Sequence, residues 1–255
     1  MKKGLIKTPE DIEKIAESGR ILAEVLQKTA RLVRPGLTTS ELNDFAESEI
    51  RRMGGKPSFK GYGGKDNAFP AGLCTSINEV VVHGVPSRKD VLKSGDIIGL
   101  DLGVEFDGSF SDAAVTVPVG TVPKKVLDFI EVTRRALEAA ISQAVPGNRI
   151  GDISSAIEKT ARGAGYDVIR DLIGHGVGYA VHEDPAIPCY GKPGTGPVLA
   201  EGMVLAIEPM LVMGDFRVKS DPDDWPVLTA DGSLSAHFEH TVAVANKGPR
   251  ILTHP

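Results

Sequence analysis

Apolar positions recur at helical spacing at the start of the chain, where Ile12, Ile15, Ala16, Leu22, Ala23 and Leu26 mark one face. Thr8 stands before Pro9, Glu10 and Asp11, the order of an N-cap, a first-turn proline and first-turn acids. That helix is expected to end at Arg34-Pro35-Gly36. Thr38 and Glu41 form a capping box for a second helix, which should stop at Gly54-Gly55. A loop rich in aromatics and glycines, PSFKGYGGKDNAFP, leads to strand-like runs between Leu73 and Val85. Over residues 95–116 the pattern turns to strands: two runs flank Asp107-Gly108, a dipeptide that suits a two-residue hairpin turn. Residues 123–144 read as a long helix with Leu127, Ile130, Leu137 and Ile141 on one side, and a shorter helix follows from about Gly151 to Arg162. The apolar run from Val168 to Val181 comes next. Segments 184–200 and 218–235 are rich in Pro, Gly and Asp and are expected as surface loops. In SLSAHFEHTVAVA, Phe238, His240, Val242 and Val244 share one strand face, while His237, Glu239 and Thr241 share the other.

The hairpin concentrates charge. Folding it on Asp107-Gly108 sets Phe106 opposite Ser109 and Gly103 opposite Asp112. Asp101 lies on the face of Gly103, diagonal to Asp112, so two carboxylates converge, and the glycine between them is expected to leave the space open. So close in a partly buried site, each would raise the other's pKa unless a cation neutralised them. Taken alone, two solvated aspartates on an edge hairpin explain the pattern as well.

A repeat links this hairpin to the second half. VRPGLTTSELNDFAESEIRRMG aligns with AVPGNRIGDISSAIEKTARGAG, matching Pro35 with Pro146 and Gly54 with Gly165. LKSGDIIGLD aligns with LAEGMVLAIE, matching Asp101 with Glu208. Two copies are too few, and the period too long, for a solenoid. The chain is expected to form one domain, 1–255, of two related α/β halves (about 8–120 and 121–252) joined about a pseudo-two-fold axis that brings Asp101 and Glu208 to matching places.

Composition narrows the setting. The 255 residues are 41% hydrophobic, enough for a sizeable core. A net charge of −5 with 25% charged residues gives no basic stripe, so no nucleic-acid partner is expected. No run reaches membrane-span length, and the N-terminus lacks the apolar region of a signal peptide. Cys74 and Cys189 are the only cysteines, so no disulfide framework is indicated and a reducing cytoplasm is the expected location.

Further candidate ligands sit in short motifs. IGHGVGYAVHEDP places His175 between two glycines, with His182 seven residues on. It is not G-x-G-x-x-G and no helix pattern follows, so small neighbours around an imidazole fit better than a phosphate cradle. The HFEH string lies on a strand pattern, whereas H-E-x-x-H needs a helix, and this leaves Glu239 as a fifth acidic or imidazole candidate.

With GLDLG, FSDAA, GHGVG, AIEPM and FEHT, the chain resembles the type I methionine aminopeptidases of bacteria over nearly its whole length. The resemblance implies the pita-bread fold (α/β, α+β), with two pseudo-symmetric halves around a curved antiparallel sheet. It implies metal ligation by Asp101, Asp112, His175, Glu208 and Glu239, and places His83 (SINEVVVHGVP) and His182 (VHEDP) around the scissile amide. The short spacing from His175 to Glu208 fits type I, since type II relatives carry a large insertion there.

Four carboxylates and a neutral imidazole carry four negative charges, which two divalent ions balance; oxygen-rich ligation with one nitrogen suits Mn, Fe, Co or Zn. Two such ions lower the pKa of a water and polarise a carbonyl. Asp101 is expected to serve one ion, Asp112 to bridge both and His175 to hold the other, with Glu208 and Glu239 completing the cage. By resemblance Glu208 takes a proton from the attacking water, His182 steadies the oxyanion and His83 contacts the scissile nitrogen. Tyr62, Phe69, Cys74 and Trp225, with Phe59 nearby, are expected to line a methionine pocket. The Tyr62–Phe69 loop is longer than in the best-known pattern, and Val181 stands where many relatives carry an aromatic. A monovalent cation near Asn78, Val80 and Ser235 is implied as well. The expected activity removes the initiator methionine from nascent polypeptides, met at the ribosome, when the second residue is small, in a monomer. Alternatives are a proline-specific peptidase of the same fold, whose members carry an added N-terminal domain, and a catalytically inert binding module.

Overall fold

The computed structural model describes residues 5–64, 67–220 and 224–254. Both N-terminal helices begin where the capping chemistry places them. α1 (Pro9–Leu32) opens on Thr8, whose Oγ1 accepts from the Asp11 amide while the Thr8 amide donates to the Asp11 carboxylate. α2 (Thr39–Arg52) repeats that reciprocal box with Thr38 and Glu41. Their buried faces carry Ile21, Leu22, Val25, Leu42, Ala46 and Ile50 against a sheet.

That sheet contains β1 (Lys56–Pro57), β2 (Leu73–Ile77), β4 (Ile97–Phe106) and β5 (Ser109–Pro118), while β3 (Val80–Val82) pairs elsewhere. The hairpin register is as expected: Phe106 faces Ser109 and Gly103 faces Asp112. Asp107 and Gly108 both hold positive φ, the requirement of the turn. Across β4, Cys74 of β2 pairs with Asp101.

The second half mirrors this order. α3 (Lys124–Ile141) and α4 (Ile150–Gly163) pack together, followed by β6 (Asp167–Val168), β7 (Ile173–Gly176) and β8 (Glu183–Pro188). Then come β9 (Val204–Ile207), β10 (Met210–Val212), β11 (Val218–Ser220), β12 (Val227–Thr229), β13 (Ser235–His237), β14 (His240–Ala243) and β15 (Arg250–Ile251). The ladders run β15-β14-β9-β7-β8, β13-β10-β6 and β11-β12-β3, all antiparallel.

The aligned repeat has matching hydrogen bonds. Gly36 N donates to Leu92 O and Leu92 N to Leu37 O; in the other copy Gly147 N donates to Leu199 O and Leu199 N to Asn148 O. Isolated bridges Thr38–Val91 and Arg149–Val198 occupy equivalent places.

A seam joins the copies. Glu239 N donates to Ala114 O at 2.9 Å, and Thr241 Oγ1 both accepts from Asp112 N and donates to Asp112 O. Thr116 Oγ1 does the same for the amide and carbonyl of His237. Asp112 and Glu239 are therefore fixed on one seam by backbone bonds, before any ligand is considered.

Three expectations are corrected. Segment 184–200 is not all loop, because Glu183–Pro188 forms the edge strand β8, where a proline costs no ladder bond. Segment 218–235 contains β11 and β12, with residues 221–223 outside the described residues. The space beside Gly103 is not open: a Cβ there would collide with Ser58 Oγ and the Phe59 ring. The glycine is needed so that Phe59 can pack close.

Candidate metal centre

Asp101, Asp112, His175, Glu208 and Glu239 all reach the wall of one cavity of about 350 Å³. Asp112 on β5 and His175 on β7 are buried, as is Glu239 between β13 and β14. Asp101 is half-buried with its Oδ1 fully enclosed, and Glu208 follows the end of β9. Gly174 lets Glu208 approach His175, since an added Cβ would lie 3.3 Å from the Glu208 Cγ and 2.6 Å from the Ala206 carbonyl. Gly176 has a different reason: a side chain there would strike the Asp184 carbonyl of β8.

The donor set fits a cation. His175 Nδ1 lies 2.9 Å from the Gly176 carbonyl. A carbonyl only accepts, so Nδ1 carries the hydrogen and the Nε2 lone pair faces the acids. Nε2 is 3.6 Å from Glu208 Oε1 and 4.0 Å from Asp112 Oδ2. Asp101 Oδ1, Asp112 Oδ1 and Glu239 Oε1 are enclosed and have no hydrogen-bond partner. Enclosed acceptors facing a lone pair are costly unless a positive ion lies among them. Asp112, His175 and Glu239 each offer a ligand atom within 4.8 Å of the others.

The acids' titration reports the same crowding. Burial first, then Glu208, pushes Asp101 up to about 6, with His237 opposing. Burial, then Asp101 and Glu208, raises Asp112 well above the usual carboxylate range; burial, then Asp112, does the same to Glu239.

Beyond the acids, His83 and His182 line the cavity together with Phe59, Tyr62, Phe69, Cys74 and Trp225. The pocket residues named from sequence are thus brought together. Phe69 meets Trp225 edge-on at 5.3 Å, Trp225 meets His83 at 6.0 Å, and Tyr62 tilts against His182 at 5.0 Å. His83 sits at φ 60, a left-handed backbone conformation uncommon for a non-glycine residue. His182 is exposed as a residue at the cavity mouth, yet the partial enclosure of its ring, and after it His175, pulls it down to about 4, so the ring is neutral at neutral pH. Cys74 is buried and its thiol is raised by burial and then by Asp101, which leaves it an apolar wall rather than a thiolate. Val181 is buried beside Phe59 and Phe69. The long loop is closed by bonds from Phe69 N to Tyr62 O and Gly61 N to Phe69 O; its residues 65 and 66 lie outside the described residues.

One residue of the centre was absent from the sequence-based ligand set. His237 is buried, with Nε2 3.3 Å from Glu208 Oε2 and 3.9 Å from Glu239 Oε2. The strand alternation that put it on the face of Glu239 was the available signal.

The profile of metallopeptidase family M24 matches residues 13–246. The chain belongs to this family. Among M24 relatives, the methionine aminopeptidase of Clostridium acetobutylicum is 47% identical over 249 residues, covering 98% of each chain. Methionine aminopeptidase 1 of Bacillus subtilis is 44% identical over 249 residues, with 98% of each chain covered. The crystal structure of the methionine aminopeptidase from Thermotoga maritima superposes with a TM-score of 0.94 at 45% identity, covering 98% of this chain and 99% of that one. The prolidase from Pyrococcus furiosus gives a TM-score of 0.78 at 25% identity, and this M24 chain spans only 66% of its length. The fold is the pita-bread fold shared by both groups.

Proposed function

We propose that this M24 chain is a methionine aminopeptidase that removes an N-terminal methionine when the second residue is small. One observation carries the reading: five candidate metal ligands and two non-ligand histidines converge on one aromatic-walled cavity. Near-full-length similarity to methionine aminopeptidases supports it.

Asp101, Asp112, Glu239, Glu208 and His175 would hold two divalent ions, of Mn, Fe, Co or Zn type by their oxygen-rich donors. Such ions, when bound, lower the pKa of a water and polarise the scissile carbonyl. Glu208 takes the proton of the attacking water. His182, neutral and at the cavity wall, donates to the oxygen on which negative charge develops. His83, lowered by burial, is also set to act as a neutral ring and contacts the scissile nitrogen. Phe59, Tyr62, Phe69, Cys74 and Trp225 enclose the thioether side chain, whose full burial contributes on the order of 1.5–3 kcal/mol.

Residues 1–255 are read as one catalytic domain of two related halves, 8–120 and 121–252, acting as a cytoplasmic monomer on nascent chains at the ribosome. A monovalent cation at the carbonyls near Asn78, Val80 and Ser235 is part of the same reading; Asn78 sits at φ 55 and its carbonyl accepts the Ser235 amide at 2.9 Å.

The test is a peptide panel with added Mn or Co: Met-Ala-Ser, Met-Arg-Ser, Leu-Ala-Ser, Ala-Pro-Ser and Gly-Pro. Cleavage of Met-Ala-Ser far above the rest supports the reading. Preference for Ala-Pro-Ser or Gly-Pro would move the chain to the proline-peptidase branch. No cleavage with metal bound would indicate an inert module.

A further inference from the structure

The carboxylate of Glu208 lies between two imidazoles. Its Oε1 is 3.6 Å from His175 Nε2 and its Oε2 is 3.3 Å from His237 Nε2. Among the described residues, these two histidines are the only basic side chains within 4.0 Å of it. Yet the two rings differ in what they can offer. His175 gives its Nδ1 hydrogen to the Gly176 carbonyl, so it presents a lone pair. His237 Nε2 is flanked by two acceptors, Glu208 Oε2 and, at 3.9 Å, Glu239 Oε2, which favours a hydrogen on that nitrogen.

The backbone from which the His237 ring projects is fixed on the seam. Its amide donates to Thr116 Oγ1 at 2.9 Å, and its carbonyl accepts from the same hydroxyl at 2.8 Å. β13 pairs it with Met210 of β10, two residues beyond Glu208. Its side chain is buried and it is absent from the cavity wall, so a substrate does not reach it. Nε2 is enclosed and makes no hydrogen bond of good geometry, and Glu208 Oε2 is the nearer of the two acceptors beside it.

We propose that His237 is a positioning residue of this centre: Nε2–H donates to Glu208 Oε2 and so fixes the carboxylate with Oε1 turned toward His175 and the metal side. A carboxylate that both ligates an ion and takes a proton needs its two oxygens in different surroundings, and a donor behind one of them provides this. The role of Glu208 as proton acceptor rests on the proposed function; the His237–Glu208 arrangement does not.

The experiment compares wild type with His237→Ala, His237→Leu and His237→Gln, using calorimetric titration of Mn into metal-free protein and steady-state kinetics on Met-Ala-Ser at saturating Mn. The Ala and Leu variants should keep the stoichiometry, weaken one binding step about 10–100-fold and lower kcat by a similar factor, with KM unchanged. The Gln variant keeps a donor at similar reach and should recover both to within about threefold of wild type. If the Ala variant fails to fold, the Leu–Gln comparison decides. Wild-type metal affinity and kcat in the Leu variant would overturn the proposal. So would loss of one bound Mn in all variants, Gln included, which would make His237 a ligand itself. Should wild type bind Mn but cleave no peptide, the proposed function fails while the titrations still decide the role of His237.

Discussion

At the scale of single residues, the proposed function separates groups that would hold metal from groups that would meet the substrate. Asp112 is pinned through its own amide and carbonyl to Thr241, so its carboxylate has a fixed origin. Asp112→Ala should abolish two-ion binding together with activity, read by metal analysis and peptide hydrolysis. His83→Ala and His182→Ala should bind metal normally and lose about 10²–10³ in kcat, the usual worth of an oxyanion-type contact. Loss of metal from either histidine variant would mean that the two classes had been confused. Gly103→Ala tests the pocket from behind. The new methyl must displace Ser58 or Phe59, costing about 1–3 kcal/mol in urea unfolding and raising KM for methionyl peptides. An unchanged KM would remove Phe59 from the pocket wall.

At the scale of elements, the loop carrying His182 is tied to the start of the chain. The Lys7 side chain is only 1% exposed and pairs with Glu183, the neighbour of His182. Glu183 Oε1 also accepts the Ala180 amide at 2.9 Å and the Tyr179 amide. Tyr179 O–H donates to Asp11 on α1 at 2.7 Å. Short-range bonds and a part-buried ion pair thus fasten residues 178–183 to the first helix and the residues just before it. Lys7→Met removes that charge from Glu183, which keeps its two amide donors, and should cost about 1.5–3 kcal/mol, the range of a hydrogen bond to a charged group. Because the anchored loop ends at His182, kcat should fall more than metal affinity does. Equal stability of wild type and variant in a urea titration would show that the pair is not part of the fold's support.

At the scale of the molecule, the crowded acids by themselves work against the fold. Asp101 holds its proton up to about 6, above its ordinary value of 3.8, and Asp112 and Glu239 are raised as well. Folded protein therefore binds more protons than unfolded chain between those values, so these acids lower stability as pH rises through that window. On the proposed function, divalent ions would displace the protons, and their affinity should drop as pH falls below the raised pKa values. Each ion at one hundred times its Kd adds about 2.7 kcal/mol. Two ions should then raise Tm by roughly 10–20 °C in a chain of this size. Scanning calorimetry with Mn or with chelator, at about pH 5 and about pH 7.5, reads both effects. A metal-induced shift as large at the lower pH as at the higher would contradict the assignment of these acids as ligands.

Local chemistry determined much of this protein. Thr8 and Thr38 started their helices, Asp107-Gly108 set the hairpin register, and the period-two pattern then placed Asp101 near Asp112. Those outcomes depend on neighbours within a few residues, where backbone preferences and side-chain caps act directly. The repeat extended legibility further, because matching turns made matching hydrogen bonds at Leu92 and Leu199. What only the tertiary structure decided are contacts across the seam. Phe59 fills the space beside Gly103, the Pro-rich segment at Glu183–Pro188 becomes an edge strand against β7, and His237 comes to rest against Glu208. Each depends on residues far apart in the chain meeting in a packed interior. Glu239 and His237 share a strand face in the sequence, but the sequence does not say which acid will stand 3.3 Å from the imidazole; the pairing of His237 with Met210, two residues past Glu208, does.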